Sequence, residues 1–155
     1  ALNNGTVDVL SGATVERKHD FESSILGGFR FSTPYYYGNE TALEDVSFFS
    51  LATRENHVAF SSFVNCIVLA TIYAQENGIE RVDSNKMPLM NIFGSEFTWA
   101  LRDATAYSGS YDQIYTKYFG EVRVEDRGRN MLNKGGPQIH SFPGLSVAAS
   151  STKNK

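Results

Sequence analysis

The chain has a single cysteine, Cys66, and a minority of basic residues, with 14 Lys and Arg against 17 Asp and Glu. One cysteine cannot form an intramolecular disulfide, and it cannot supply the paired thiolates of a zinc finger. The net charge of -3 differs from the basic surface typical of nucleic-acid-binding proteins. We therefore expect no nucleic-acid partner.

Patterns that carry catalysis or hold metal ions are also lacking. The histidines His19, His57 and His140 lie far apart, without the spacing of metal ligands. The sequence shows no nucleophile elbow and no Ser–His–Asp arrangement. It predicts a protein that is not an enzyme and that needs no metal or other cofactor.

Long apolar runs are scarce. The best candidate, 60–73, is interrupted by serine, asparagine and threonine and stays below the roughly 18 residues that a membrane span requires. The first twelve residues lack the basic start and apolar core of a signal peptide. The sequence alone thus predicts no membrane-spanning segment.

Aromatic residues are plentiful, with 11 Phe, 8 Tyr and 1 Trp among the 155 residues. A chain of this length is typical of one domain and should bury about 70% of its unfolded surface. Strand-like segments come early and helix-like segments late, which predicts an α/β fold with a short sheet followed by packed helices. We expect the domain to cover 1–145 and a flexible polar tail to follow at 146–155.

The clearest predicted helix covers 57–77, where apolar residues recur every three or four positions. Asn56 is its expected N-cap, and Gly78 its expected end. Cys66 lies on this helix and is expected to be buried and inert. Two shorter helices are predicted from Ser95 to Gly109 and from Ser110 to Gly120.

Short strands are predicted at 7–10 and 46–52, and Ser11-Gly12 is expected to end the first. The segment 14–18 is predicted to open a helical turn with Thr14 as its N-cap. Far downstream, Arg127, Arg129 and Lys134 are expected to form a mild basic patch on a solvated face.

A strand end followed by a helical turn exposes backbone N–H groups that favour an anion. Thr14 adds a hydroxyl group, and Arg17 can pair with a carboxylate through two hydrogen bonds. The arrangement suits the α-carboxylate of an amino acid. In the alternative interpretation, Thr14 is an ordinary helix cap and Arg17 is a solvated surface side chain.

The sequence DVLSGATVERK at 8–18, followed by FSTPYY at 31–36, resembles the signature of polar-amino-acid solute-binding proteins of ABC transporters. In that family a threonine and an arginine, three residues apart, hold the ligand carboxylate. The resemblance implies that Thr14 and Arg17 form this clamp. It also implies that the backbone around Ser11 and Gly12 accepts hydrogen bonds from the ligand ammonium group.

Later segments are similar to the general L-amino-acid-binding branch of this family, in chain order 53–83, 99–102, 107–115 and 129–136. The similarity implies one lobe of a type II periplasmic-binding-protein-like fold. It further implies an L-amino acid as ligand and an extracytoplasmic location, in a periplasm, an organelle lumen or the secreted fraction, peripheral to a membrane rather than spanning it.

The chain departs from the family pattern because it begins within the first lobe and reaches the return segment soon after Tyr37. Set against the family pattern, the second lobe is absent from this sequence, and an insertion at 22–29 separates the two N-terminal motifs. Small-molecule sites normally bury most of their ligand, so another chain would have to complete the cleft.

The missing lobe and the aromatic content lead to a second hypothesis. A truncated lobe leaves sheet edges and apolar surface exposed, which predicts a protein partner that covers them. On this hypothesis the chain is a non-catalytic structural or interaction subunit of a larger, membrane-associated assembly, built from a degenerate solute-binding lobe.

Overall fold

The computed structural model describes residues 2, 5–14, 28–38, 48–121, 127–128 and 130–131. Over these residues the chain is a mixed α/β fold with a four-stranded antiparallel sheet and three α-helices. The strands are β1 (Val9–Thr14), β2 (Phe29–Phe31), β3 (Tyr36–Tyr37) and β4 (Phe48–Arg54), and the helices are α1 (Val58–Glu76), α2 (Ala100–Ser108) and α3 (Tyr111–Phe119). Single 3-10 segments lie at Arg81–Lys86 and Ser95–Phe97. The predicted order of an early sheet and late helices is confirmed, while Arg17 and the tail 146–155 lie outside the described residues.

Strand β4 is the centre of the sheet, and every pairing with it is antiparallel. Phe49 pairs with Thr14 of β1 and also with Tyr36 of β3, so β1 and β3 lie on opposite edges of β4. Strand β2 shares the β3 edge, and the two are separated only by the irregular segment 32–35. Strand β4 is therefore paired along both of its edges, and helix α1 contacts it through Ser61 and Thr53.

The first strand continues beyond Ser11 and Gly12, which were expected to end it. Its register with β4 changes between Leu10 and Ala13, so that two residues of β1 face one residue of β4. This is a β-bulge, and Gly12 adopts the left-handed backbone conformation that it requires, with φ of +70°.

The predicted helix cap at Thr14 is wrong, because Thr14 pairs with Phe49 within the sheet. A Ser-Gly pair is typical of a strand end, but a glycine in a bulge also lets a strand bend and then resume. Backbone N–H groups of 11–14 therefore belong to a bulged strand and not to a helix N-terminus.

Helix α1 agrees closely with its prediction. It begins after His57 rather than Asn56, and it ends at a turn in which Gly78 has φ of +61°. A buried hydroxyl pair holds its first turn to the sheet, where Thr53 donates to Ser61 Oγ over 2.7 Å. Cys66 is buried as predicted, with 2% of its surface exposed.

The same helix is long and apolar enough, by length and composition, to cross a membrane. This differs from the sequence-based expectation that no segment would suffice. In the fold, however, its buried side chains form the main core together with side chains such as Met87 and Leu101 of the following elements. In the structure, 39% of the most apolar stretch of this helix is buried.

Helix α3 begins after Ser110, as predicted, and the structure shows a capping box there. The Ser110 hydroxyl accepts from the Gln113 N–H group over 3.3 Å, and the Gln113 side chain accepts from the Ser110 N–H group over 3.1 Å. Gly120, with φ of +83°, ends the helix. The predicted helix from Ser95 is divided into a 3-10 turn and α2, which ends at Gly109.

Candidate binding groove

A groove runs between the helix-facing side of the sheet and α3. It consists of two adjoining cavities of about 580 Å³ and about 540 Å³. The walls that both cavities share are formed by Ser11, Tyr35, Tyr111, Ile114 and Tyr118. The larger cavity adds Tyr36, Phe49, Tyr115 and Phe119, and we call the whole the aromatic groove. Each volume is within the range typical of small-molecule sites.

The periodicity of the sequence explains why these side chains meet. Phe49 and Leu51 are two residues apart on β4 and therefore project to the same face of the sheet. Residues 111, 114, 115 and 118 have the three- and four-residue spacing that places side chains on one face of a helix. The groove thus forms where an apolar sheet face meets an aromatic helix face.

Tyr35 connects three parts of the groove. Its N–H group donates to the carbonyl of Phe49 over 3.0 Å, and its carbonyl accepts from the Tyr111 hydroxyl over 2.8 Å. Its own hydroxyl accepts from the N–H group of Gly12 over 3.1 Å. The bulge in β1, the central strand and α3 are therefore held in one arrangement.

The Tyr111 side chain is buried against Val68 and Ile72 of α1. Burial raises the pKa of its hydroxyl well above the usual range, and the nearby Tyr115 adds to the effect, while Arg127 opposes it. The protonated hydroxyl is the form that donates to the Tyr35 carbonyl.

Aromatic rings line the groove in contact with one another. The rings of Tyr36 and Phe119 are stacked, with centroids 5.3 Å apart and planes 2° apart. Phe119 also contacts Tyr115, with centroids 4.7 Å apart. At the rim, Tyr118 is 70% exposed and Phe119 is 53% exposed, so ring surface remains open to solvent.

Arg127 lies behind the wall formed by Tyr115. Its guanidinium is 4.4 Å from the centre of the Tyr115 ring, and its Nη2 atom is 2.5 Å from Oδ1 of Asp112. The side chain is only 2% exposed, so the prediction that Arg127 contributes to a solvated basic face is wrong. The sequence around Arg127 does not show that its partners, Asp112 and the Tyr115 ring, lie on α3. Arg129 and Lys134 lie outside the described residues.

Asn130 is buried and binds the backbone of β3 through both ends of its amide. Its Oδ1 atom accepts from the Tyr37 N–H group over 2.7 Å, and its Nδ2 atom donates to the Tyr37 carbonyl over 2.9 Å. The amide satisfies the outer edge of β3 as a neighbouring strand would. A lone asparagine 93 residues downstream gives no sequence signal for this role.

Two of the four residues predicted to bind the ligand meet at the groove. Ser11 lines both cavities, and Gly12 is joined to the Tyr35 hydroxyl at their edge. For Thr14 the structure describes the backbone alone, in β1, and Arg17 lies outside the described residues. The aromatic residues of α3 were assigned to a helix by sequence reasoning, but their role as groove walls was missed.

The described walls of the groove are apolar and aromatic, with a few hydroxyl groups. None of the described residues that line it carries a charge, so the walls offer ring faces, aliphatic surface and hydroxyl groups. Over the described part of the chain, no group of three His, Cys, Asp or Glu side chains is placed to hold a metal ion. Stacking, burial and hydrogen bonding are the interactions that such walls provide.

Comparison with known proteins finds no relative. No protein-family model matches the chain, and neither a curated protein nor a solved structure matches it significantly. Function is therefore inferred from the groove and from the sequence motifs around it.

Proposed function

We propose that the chain is a non-catalytic binding protein that takes an L-amino acid in the aromatic groove. Its proposed role is that of the solute-binding component of an ABC-type transporter, or of a protein derived from one, located outside the cytoplasm. The fold would then be one lobe of a type II periplasmic-binding-protein-like structure. The observation that carries the proposal is the position of Ser11, which the sequence motif assigns to the ligand and which lines both cavities.

The bulge in β1 supports this assignment. A bulge leaves backbone groups of the extra residue outside the regular ladder, and bulges are common next to functional sites. Here the bulge contains Ser11 and Gly12, and the displaced N–H group of Gly12 is bonded to the Tyr35 hydroxyl. Carbonyl groups of the same segment are suited to accept hydrogen bonds from an ammonium group.

The proposal assigns the ligand carboxylate to Thr14 and Arg17, following the family pattern. An exposed ion pair contributes little to affinity, because water screens it and competes for both partners. The exposed ring of Tyr118 at the rim indicates that the groove is open on one side. We therefore expect a second chain or lobe to cover the ligand during tight binding.

Isothermal titration calorimetry with glycine and the nineteen standard L-amino acids tests the proposal. We expect at least one of them to bind with a Kd below about 1 mM, which corresponds to about 4 kcal/mol. Arg17→Ala should weaken that binding about two- to fivefold, because it removes the partner of a carboxylate that is open to water. Tyr107→Ala is the matched control, since Tyr107 is 89% exposed and does not line the groove. No binding of any amino acid at millimolar concentration would contradict the proposal.

A second candidate function, that of an interaction subunit, is favoured by a separate apolar surface. A cavity of about 330 Å³ lies at the start of α1, and its described walls are Ala59, Phe60, Phe63, Phe93 and Phe97. Trp99 nearby in sequence is 52% exposed. Exposed apolar surface of this kind commonly marks a protein interface.

Sedimentation velocity of the isolated chain tests this second function. An interaction subunit should self-associate with increasing concentration and should bind a dye that reports apolar surface. Phe97→Asp should suppress both effects, whereas Glu96→Asp should leave them unchanged. A concentration-independent monomer with little dye binding would contradict this function.

A further inference from the structure

We infer that the aromatic groove selects L-amino acids with an aromatic side chain, with the groove walls acting as the side-chain subsite. This inference rests on the proposed function and narrows its ligand. Of the nine described residues that line the larger cavity, seven are aromatic, and the other two are Ser11 and Ile114.

The walls disfavour a charged side chain. A carboxylate or ammonium group that entered the groove would lose water without gaining a partner of opposite charge among the described lining residues. Among the described residues near the groove, Arg127 and Asp112 are paired with each other, and Arg127 stacks on the Tyr115 ring. The Lys117 ammonium lies 5.1 Å from the centre of the Tyr118 ring, at the exposed rim of the groove.

The walls favour an aromatic ring because they already present rings in contact geometry. Centroid separations of 5.3 Å between Tyr36 and Phe119, and of 5.7 Å between Tyr36 and Phe49, are typical of favourable aromatic pairs. An incoming ring can extend this array through the exposed faces of Phe119 and Tyr118.

The array is also held in place before a ligand arrives. The guanidinium of Arg127 stacks on Tyr115 from outside, and the Tyr111 hydroxyl is bonded to the Tyr35 carbonyl. Side chains that are ordered in the free protein lose less entropy on binding, so the ring contacts contribute more fully to affinity.

Calorimetric titration with L-phenylalanine, L-alanine, L-glutamate and L-lysine tests the inference. L-phenylalanine should bind at least about tenfold more tightly than L-alanine, as expected for burial of an aromatic side chain. L-glutamate and L-lysine should bind no more tightly than L-alanine. If either charged amino acid binds more tightly than L-phenylalanine, the inference is overturned while the proposed function stands. If none of the twenty amino acids binds, the proposed function itself fails.

Three variants locate the subsite. Tyr118→Ala should weaken the binding of L-phenylalanine about fivefold or more and leave the binding of L-alanine unchanged. The reason is that only the larger side chain reaches the Tyr118 ring. Tyr107→Ala, on α2 and outside the groove, should change neither affinity. An equal loss for both ligands in Tyr118→Ala, or an unchanged preference for L-phenylalanine, would overturn the assignment of the groove as side-chain subsite. Tyr118→Leu, which keeps apolar bulk at this 70% exposed position, should give an intermediate loss.

Discussion

The hydroxyl group of Tyr111 donates a hydrogen bond to the backbone carbonyl of Tyr35 over 2.8 Å and so joins the first turn of α3 to the edge of the sheet. Both residues line the aromatic groove. Because Tyr35 also bonds to Gly12 and Phe49, the position of α3 is linked to the bulge in β1. The shape of the groove depends on this connection.

Replacement of Tyr111 by phenylalanine should therefore destabilise the fold. The variant keeps the ring but loses the donor, which leaves the Tyr35 carbonyl without that bond and should cost about 1–2 kcal/mol of unfolding free energy. Urea unfolding followed by circular dichroism measures the change. Tyr107→Phe, at an 89% exposed position, is the control and should be neutral. Equal stability of the two variants would show that the bond contributes nothing.

The raised pKa of Tyr111 also predicts how stability depends on pH. Burial holds the hydroxyl in its protonated form in the folded state, while in the unfolded chain it ionises near pH 10. Its contribution is therefore fully present below about pH 10 and is lost as the pH rises above that value. Unfolding free energies measured from pH 8 to 11.5 should fall less steeply for Tyr111→Phe than for the wild type. The slope should not vanish, because burial also raises the pKa of Tyr37 and Tyr115. A variant slope as steep as that of the wild type would contradict the assignment.

The bulge at Gly12 makes a further prediction. With φ of +70° and no atom of the described residues within 4 Å of an added Cβ, the backbone conformation sets the cost of a side chain there. Gly12→Ala should destabilise the chain by about 1–2 kcal/mol. Gly12→Asn should cost less, since asparagine tolerates the left-handed conformation better. Chemical denaturation of both variants tests this order. A larger loss of unfolding free energy for Gly12→Asn than for Gly12→Ala would contradict it.

The amide of Asn130 provides a test at the opposite edge of the sheet. Asn130→Ala removes two buried hydrogen bonds to Tyr37 and should cost about 1–3 kcal/mol. Asn77→Ala is a suitable control, because Asn77 makes one exposed bond to the carbonyl of Tyr73 and should contribute only a few tenths of a kcal/mol. Thermal unfolding measures the stability of both variants. Similar losses of stability in Asn130→Ala and Asn77→Ala would mean that the buried amide has no special role.

The sequence was informative where local chemistry determines the structure. Ser110, Gln113 and Gly120 specify both ends of α3 within ten residues, and Gly78 marks the end of α1, so these features could be predicted. The bulge in β1 could not be predicted, because a Ser-Gly pair is equally compatible with a turn. A bulge arises only when β4 pairs on both sides of it.

Long-range partners were beyond the reach of sequence patterns. Arg127 is charged and follows the end of α3 at Gly120, a position typical of a solvated residue. In the structure it is buried by its ion pair with Asp112 and its contact with the Tyr115 ring. The groove depends in the same way on contacts between distant segments, since Tyr111 lies 76 residues from Tyr35. The aromatic content suggested an apolar surface, but only the packing of α3 on the sheet determines where it lies.

Amino-acid binding in the aromatic groove can be tested directly by nuclear magnetic resonance, with L-phenylalanine titrated into the ¹⁵N-labelled chain. We predict saturable shifts of the backbone amide signals of Ser11, Gly12, Tyr35 and Tyr118, which surround the groove. Signals near the separate cavity at Phe60 and Phe97 should stay unchanged. Shifts confined to that second cavity, or no saturable shifts with any L-amino acid, would contradict binding in the groove.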